Sequence, residues 1–409
     1  MKILVNYYVL SRWNGGLEFA SNIVNSIQYQ KKAKVILLVP YKPKLNFIYD
    51  FVKQILKSFI SLDLKILDLG SGLPMGKREI KKRLLGLIEE DTEIHWVKDN
   101  GSSVRAEILR IKPDIVLPCF EPLKLKDIPW IGYITDCQHL YYPQLFSEEE
   151  VASRNTAFKE MLSQADNILV ASNQVKKDCE IIYPQMKCKI HVIPYLPSLQ
   201  KERFQNLNKI KNQTILKKPY FIVCNQFWRH KDHLTALRAF NKLIKVEKQE
   251  INLCLTGSFE DYRDKNYINE IKEFIESNRL SSFVKITGFI SKDEQISLLR
   301  DAISLIQPSL FEGGSGGGAL FDAISCGVHT ILSDTDVNLE IRENFKEEIT
   351  YFKTSDYNSL FECMKILLND KKSRKKTIDD IQIQNEINKN NKQKFYKELL
   401  TTIIDSSNA

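Results

Sequence analysis

The chain has 409 residues, of which 43% are hydrophobic and 27% charged, with a formal net charge of +8. That balance is globular and excludes intrinsic disorder, and the length suffices for two or three ordinary domains. No apolar run reaches the ~18–20 residues needed to cross a bilayer, and the dispersed lysines accompany no nucleic-acid-binding motif. Eight scattered cysteines contain no Cys-x-x-Cys pair and read as buried small hydrophobes in a reducing compartment.

The N-terminus opens on a strand over Lys2–Leu10 rather than on a leader, so no signal peptide is expected. A Gly-containing loop and a helix from about Leu17 follow. Further strands are expected over Lys34–Pro40, Ile94–Lys98, Asp114–Cys119, Trp130–Thr135, Asn167–Ser172 and Lys189–Tyr195, with helices such as Ser103–Lys112 and Val151–Gln164 between them. Strands alternating with helices imply βαβ units and a parallel, doubly wound sheet. Pro194, Pro197 and the polar stretch Gln200–Lys218 interrupt the pattern. It restarts with strands over Tyr220–Asn225, Ile251–Thr256, Val284–Gly288, Ile303–Gln307 and Thr330–Ser333. Two α/β domains, residues 1–197 and 219–375, account for this. The tail, residues 376–409, carries Phe395, Tyr396, Leu399, Leu400 and Ile403 at helical spacing and is expected to pack back on the body.

The segment Ser309–Ala323 holds most of the chemistry. Gly313, Gly314, Ser315, Gly316 and Gly317 lie between the strand Ile303–Gln307 and a helix beginning near Ala319. Glycines there allow backbone N–H groups close to a ligand, and a helix N-terminus favours phosphate. Glu312 and Asp322 bracket the run, and carboxylates suit sugar hydroxyls as acceptors.

This segment resembles the signature of retaining glycosyltransferases of the GT-B fold, family 4 (group 1), in which two acids are separated by seven residues. Phe311-Glu312-Gly313 matches its start and Asp322-Ala323-Ile324-Ser325-Cys326-Gly327 its end. The stretches Thr330–Asp334 and Asn338–Ile341 follow the same course. Here the second acid is Asp and nine residues separate the pair, so the glycine loop is two residues longer than the family's. The resemblance implies two Rossmann-like domains facing each other across a cleft, the donor mainly on the second and the acceptor mainly on the first. It gives Glu312 the donor sugar and Asp322 the ribose hydroxyls. Cys224–His233 resembles the segment that neutralises the donor diphosphate: Lys231 fits the family lysine, and Gln226 stands where many members have arginine, a charge that Arg229 could supply. Trp130–Pro143 resembles an acceptor-side segment and nominates Asp136 and His139, the latter for the transferred sugar. Gly15 and Gly16, after Asn14, fit the family's Gly-Gly loop beside the donor phosphates; their spacing is not that of a dinucleotide oxidoreductase.

Two other features have plainer readings. Asp334-Thr335-Asp336 has the form of a metal-binding Asp-x-Asp but sits where a helix opens, so capping is expected and no metal or other cofactor is. The basic amphipathic run Gly76–Glu90 could lie on an anionic membrane surface or pack its apolar face into the core. Taken together, the expected activity is transfer of a sugar (of hexosyl type), with retention, from a nucleotide-diphosphate donor to a glycan or lipid-linked acceptor. Its setting would be cell-surface polysaccharide or lipopolysaccharide assembly, in the cytoplasm or peripheral to the inner membrane, with no nucleic-acid partner. The rivals are a nucleotide-sugar epimerase on the same fold and a non-catalytic glycan-binding protein with a decayed site.

Overall fold

The computed structural model describes residues 1–11, 15–28, 33–41, 77–84, 87–88, 92–194, 219–248, 250–261, 263–345, 348–369 and 397. Asn14, the expected connection over 197–218 and, Lys397 apart, the expected tail helix over 376–409 lie outside the described residues.

Two parallel sheets form the molecule. The first contains β1 (Lys2–Asn6), β2 (Lys34–Tyr41), β3 (Glu93–Lys98), β4 (Ile115–Cys119), β5 (Trp130–Ile134), β6 (Asn167–Val170) and β7 (Lys189–Val192), in the order β3-β2-β1-β4-β5-β6-β7. The second contains β8 (Tyr220–Cys224), β9 (Asn252–Thr256), β10 (Val284–Gly288), β11 (Ser304–Gln307), β12 (Thr330–Ser333) and β13 (Ile349–Phe352), in the order β10-β9-β8-β11-β12-β13. Their near-continuous apolar runs suit strands covered on both faces. In β1, Ile3 and Val5 enter one core cluster while Leu4 enters another. In β8, Phe221 and Val223 face one layer, and Tyr220 and Ile222 the other.

Two departures from the sequence expectation have local causes. The first strand stops at Asn6 and the chain coils into a short helix, Tyr7–Leu10. Its ladder runs out there: pairing with β4 ends at Val5–Leu117 and pairing with β2 at Asn6–Leu38. The edge strand β13 was not expected, because its four residues lie among charged neighbours without a turn signal. The run Asp334–Asp336 caps as expected, through the hydroxyl of Thr335, which accepts from the Asn338 amide at 3.4 Å. In the basic run, the helix Lys77–Leu84 buries Ile80 and Leu84 in the first domain's core and leaves Lys77, Arg78 and Lys81 exposed. Its apolar face is therefore used within the domain. Among the described residues, no helix is long and apolar enough to cross a membrane.

Each sheet reverses direction at its first strand: β1 lies between β2 and β4, and β8 between β9 and β11. The connections leaving such a strand and its neighbour diverge to opposite faces and open a crevice at the carboxyl ends, where ligands bind in open α/β sheets.

Candidate active site between the two domains

Lys231 and Glu312 come from the loops that follow β8 and β11, the two strands flanking the reversal in the second sheet. After β8, one 3-10 turn, Arg229–Lys231, leads to Asp232, whose left-handed backbone (φ 48°) caps the helix His233–Glu247. After β11, the chain runs through Ser309–Gly316 into the helix Gly317–Ser325. The Lys231 ammonium donates to Glu312 Oε1 at 2.6 Å, with only 14% and 10% of the two side chains exposed. A Cβ placed on Gly317 would lie 3.8 and 4.0 Å from the Glu312 oxygens, so this carboxylate sits beside the first turn of that helix. Partial positive charge from the helix N-terminus and the full charge of Lys231 thus converge on one point.

A buried polar network holds the loop in shape. Asn225 and Gln307 exchange hydrogen bonds at 2.9 and 3.2 Å, and Gln307 also donates to the Gly316 carbonyl at 2.6 Å. The Gly316 amide donates to Asn338 Oδ1 at 2.8 Å, and the Ser315 hydroxyl to the Val337 carbonyl at 2.7 Å. Gly316 and Gly317 have φ of 59° and 63°, a region costly to residues with a Cβ.

The same loop touches the first domain. A Cβ on Gly313 would collide with the Thr135 carbonyl and lie 2.8 Å from Asp136 Cβ, and one on Gly314 would lie 3.1 Å from Ala171 Cβ. Ser172 donates to the Gly313 carbonyl at 2.9 Å and Tyr142 to the Leu310 carbonyl at 3.3 Å. Phe311 packs against Tyr141 and Tyr142, with centroids 5.5 and 6.1 Å away. On the far side of the helix Gly317–Ser325, Asp322 accepts from Lys292, which also reaches Glu18 of the first domain at 3.7 Å. Glu18 lies in the first turn of the helix Gly16–Gln28, directly after Gly15 and Gly16 in the chain. Gly16 also has a packing role, since a Cβ there would collide with the Leu10 carbonyl.

The nominated residues therefore divide. Lys231, Glu312, Gly313, Gly314, Ser315, Gly316 and Gly317 form one continuous site. Asp322, on the helix that follows the loop, pairs with Lys292 instead, and Gln226 lies half-buried in the turn before Arg229, its carbonyl accepting from the Trp228 amide at 2.8 Å. Arg229 is turned away from Glu312. Its guanidinium binds Asp264, meets Glu270 at 2.5 Å and stacks 4.9 Å over Tyr267, so its charge is compensated. His139 is fully buried. Its Nε2 meets Asn155 Oδ1 at 3.0 Å, and its Nδ1 accepts from Arg154 at 3.2 Å. With both nitrogens used inside the domain, this imidazole is not presented to a sugar. Burial lowers its pKa, as does Arg154, against the Asn155 hydrogen bond. Asp136 pairs with Arg154 at 2.7 Å and accepts from the Gln138 amide at 2.9 Å, while its Cβ abuts Gly313. It therefore stands at the site but braces the loop.

Two histidines under the cationic turn remain neutral. Burial, with Lys231 and Arg263 nearby, lowers His230 to about 2, and burial with Lys231 lowers His233 to about 3. Sequence reasoning assigned no role to Lys292 or Glu340; the one visible signal was that Glu340 lies in the stretch Asn338–Ile341, which follows the family's course. Among the described residues, no group of three or more His, Cys, Asp or Glu side chains could hold a metal ion.

Comparison with known proteins fits this geometry. Residues 204–384, which contain Lys231, Glu312 and the glycine loop, match the family model described as glycosyl transferases group 1. That stretch carries the glycosyltransferase group 1 domain. Solved structures extend the likeness to both domains and show the fold to be GT-B. Sucrose-phosphate synthase from Thermosynechococcus elongatus superposes with a TM-score of 0.64 at 14% identity, over 99% of this chain and 100% of that one. A glycosyltransferase from Rickettsia africae gives 0.60 at 15% identity over 98% of each chain. The Anabaena protein HepE, solved in complex with UDP-glucose, gives 0.61 at 13% identity over 99% of this chain and 100% of that one. No curated protein sequence matches the chain.

Proposed function

We propose that this glycosyltransferase binds a nucleotide-diphosphate sugar, with UDP as the first base to test, and moves the sugar with retention of anomeric configuration to a glycan or lipid-linked acceptor in cell-surface polysaccharide assembly. The observation that carries the proposal is the Lys231–Glu312 pair at the sheet reversal, beside a helix N-terminus and a loop of glycine amides. Support for UDP comes from HepE, which was solved with UDP-glucose. A leaving diphosphate gains negative charge as its bond breaks, and preorganised cations and N–H dipoles stabilise it. Lys231 and the loop amides other than that of Gly316, which is held by Asn338, take that role, Glu312 accepts from donor-sugar hydroxyls, and Asp322 accepts from the ribose. The acceptor oxygen forms the new bond to the anomeric carbon on the face that the diphosphate leaves. The acceptor proton passes to a phosphate oxygen of the departing nucleoside diphosphate, so no enzyme nucleophile is needed. The two-domain boundary at residues 197–219 and a peripheral membrane location belong to the same proposal, the latter supported by the exposed Lys77, Arg78 and Lys81.

The test is thermal stabilisation by a panel of UDP-, GDP- and ADP-sugars, with and without EDTA. The proposal predicts that one nucleotide class raises the melting temperature with no EDTA sensitivity, and that Glu312→Ala or Lys231→Ala abolishes the shift. Absence of any shift would overturn it. Stabilisation by a donor that is converted without any acceptor would favour the epimerase.

A further inference from the structure

One contact between the domains is built unlike the rest. The Glu340 carboxylate, in the second domain, sits on the N-terminus of the helix Asn173–Ile182 in the first. Its Oε2 accepts from the Asn173 backbone amide at 2.8 Å and side-chain amide at 3.1 Å, and its Oε1 from the Gln174 amide at 2.7 Å. The first amides of a helix have no partner within the helix, and they carry its positive partial charge. Here the carboxylate that satisfies them comes from the other domain. The helix's own cap, Ser172, accepts from the Val175 amide at 3.2 Å and donates to the Gly313 carbonyl. One helix end thus grips both Glu340 and the glycine loop.

Glu340 is also tied to that loop from within its own domain. It follows the short helix Asp336–Leu339 directly. In that helix the fully buried Asn338 accepts from the Gly316 amide, and Val337 accepts from Ser315. Asn338 donates in turn to the Ser333 carbonyl at 2.9 Å. Displacing Glu340 would therefore pull on the turn that shapes Ser315 and Gly316.

We propose that Glu340 is a positioning residue that couples apposition of the two domains to the geometry of the glycine loop. Two oxygens serving three donors require a carboxylate of this length: glutamine keeps one acceptor oxygen and loses the charge, and aspartate falls short. What the loop holds rests on the function proposed above; the coupling itself does not.

Hydrogen–deuterium exchange on the full chain, without donor, is the direct test. In Glu340→Gln and Glu340→Ala, the Asn173 and Gln174 amides should exchange about tenfold or more faster than in wild type, as expected for lost charge-assisted hydrogen bonds. Exchange at the Gly316 amide should rise with them, and small-angle scattering should show a larger radius of gyration. Protection of Val223, Leu255 and Ile306 should be unchanged, which separates the effect from unfolding; if the Ala variant unfolds, the Gln variant decides. With the donor identified by thermal stabilisation, kcat should fall about tenfold while the donor KM moves less than about threefold, a split that a loss of binding would not give. Unchanged exchange at Asn173, Gln174 and Gly316 in the Gln variant would overturn the proposal. Altered exchange with no donor found would leave the coupling standing and count against the function proposed above.

Discussion

The two faces of the cleft are made differently. The second domain contributes charge: Lys231 on Glu312, after the two strands that flank the sheet reversal, and Lys292 on Asp322, between two of its helices. The first domain contributes fit: the Thr135 carbonyl, Ala171 and the Ser172 hydroxyl, pressed against glycines that have no side chain to keep them apart. Its ionisable pair beside Gly313, Asp136 with Arg154, is engaged within the domain, and its charged contact with these pairs is Glu18, 3.7 Å from Lys292. Under the function proposed above, stabilisation of the leaving group falls to the second domain and close packing to the first, and substitutions on the two sides should fail in different ways.

The largest effect should come from the charged side. Lys231→Ala should lower turnover by roughly 10²–10³, the cost of one lost stabilising donor, read as nucleotide release with saturating donor. The double variant Lys231→Ala/Glu312→Ala should recover melting temperature relative to Lys231→Ala, which leaves a carboxylate uncompensated, but not turnover. On the fitted side the loss should be stability. His139→Ala removes a buried ring and the hydrogen bonds it makes to Arg154 Nε and Asn155 Oδ1, a cost of about 2–4 kcal/mol by urea denaturation. Donor affinity of the folded fraction should remain within about threefold, equivalent to about 0.6 kcal/mol. If His139→Ala instead abolished turnover in a protein as stable as wild type, the division would be broken.

Acid should weaken the cationic turn of the second domain. In the folded chain His230 and His233 stay neutral down to about 2 and about 3, whereas unfolded histidine titrates near ~6.5. Below that value the unfolded state binds more protons. The stability these residues confer is therefore complete above about pH 6.5 and is lost progressively toward the folded-state values. Each histidine should cost up to about 1.4 kcal/mol per pH unit in that window. Denaturant midpoints between pH 7.5 and 5 report it. His233→Phe, which keeps an aromatic ring stacked on Phe227, should flatten the slope.

The smallest effects separate two nearby glycines. At Gly316, φ is 59° and a Cβ would approach Leu320 Cβ to 2.7 Å, so Gly316→Ala should destabilise by about 1–2 kcal/mol or more. At Gly318 nothing lies within 4 Å of an added Cβ, so Gly318→Ala should stabilise by up to about 1 kcal/mol. Thermal melts of the two variants should move in opposite directions.

Much of this architecture was legible in the sequence because apolar strand runs, helix starts and a glycine-rich strand-to-helix junction are local signals. Lys231 and Glu312 could be named for the same reason, through short motifs at strand ends. What stayed hidden was pairwise. Arg229 has the type and position of a phosphate ligand, and nothing local shows that Asp264 and Glu270, more than thirty residues away, compensate it. His139 has the type of a sugar contact, and only the fold reveals Asn155 and Arg154 on its two nitrogens. Glu340 belongs to a stretch that follows the family's course, but its role appears only when the helix at Asn173 is brought against it. The edge strand Ile349–Phe352 was missed because four residues carry too little periodicity.

The most direct measurement is calorimetric titration of UDP into wild type and Lys231→Ala under identical salt. If the charged face of the second domain holds the diphosphate, the variant should bind about tenfold or more weakly, as for a lost hydrogen bond to a charged group. Equal affinity in the two proteins would contradict the assignment of the site to the Lys231–Glu312 pair.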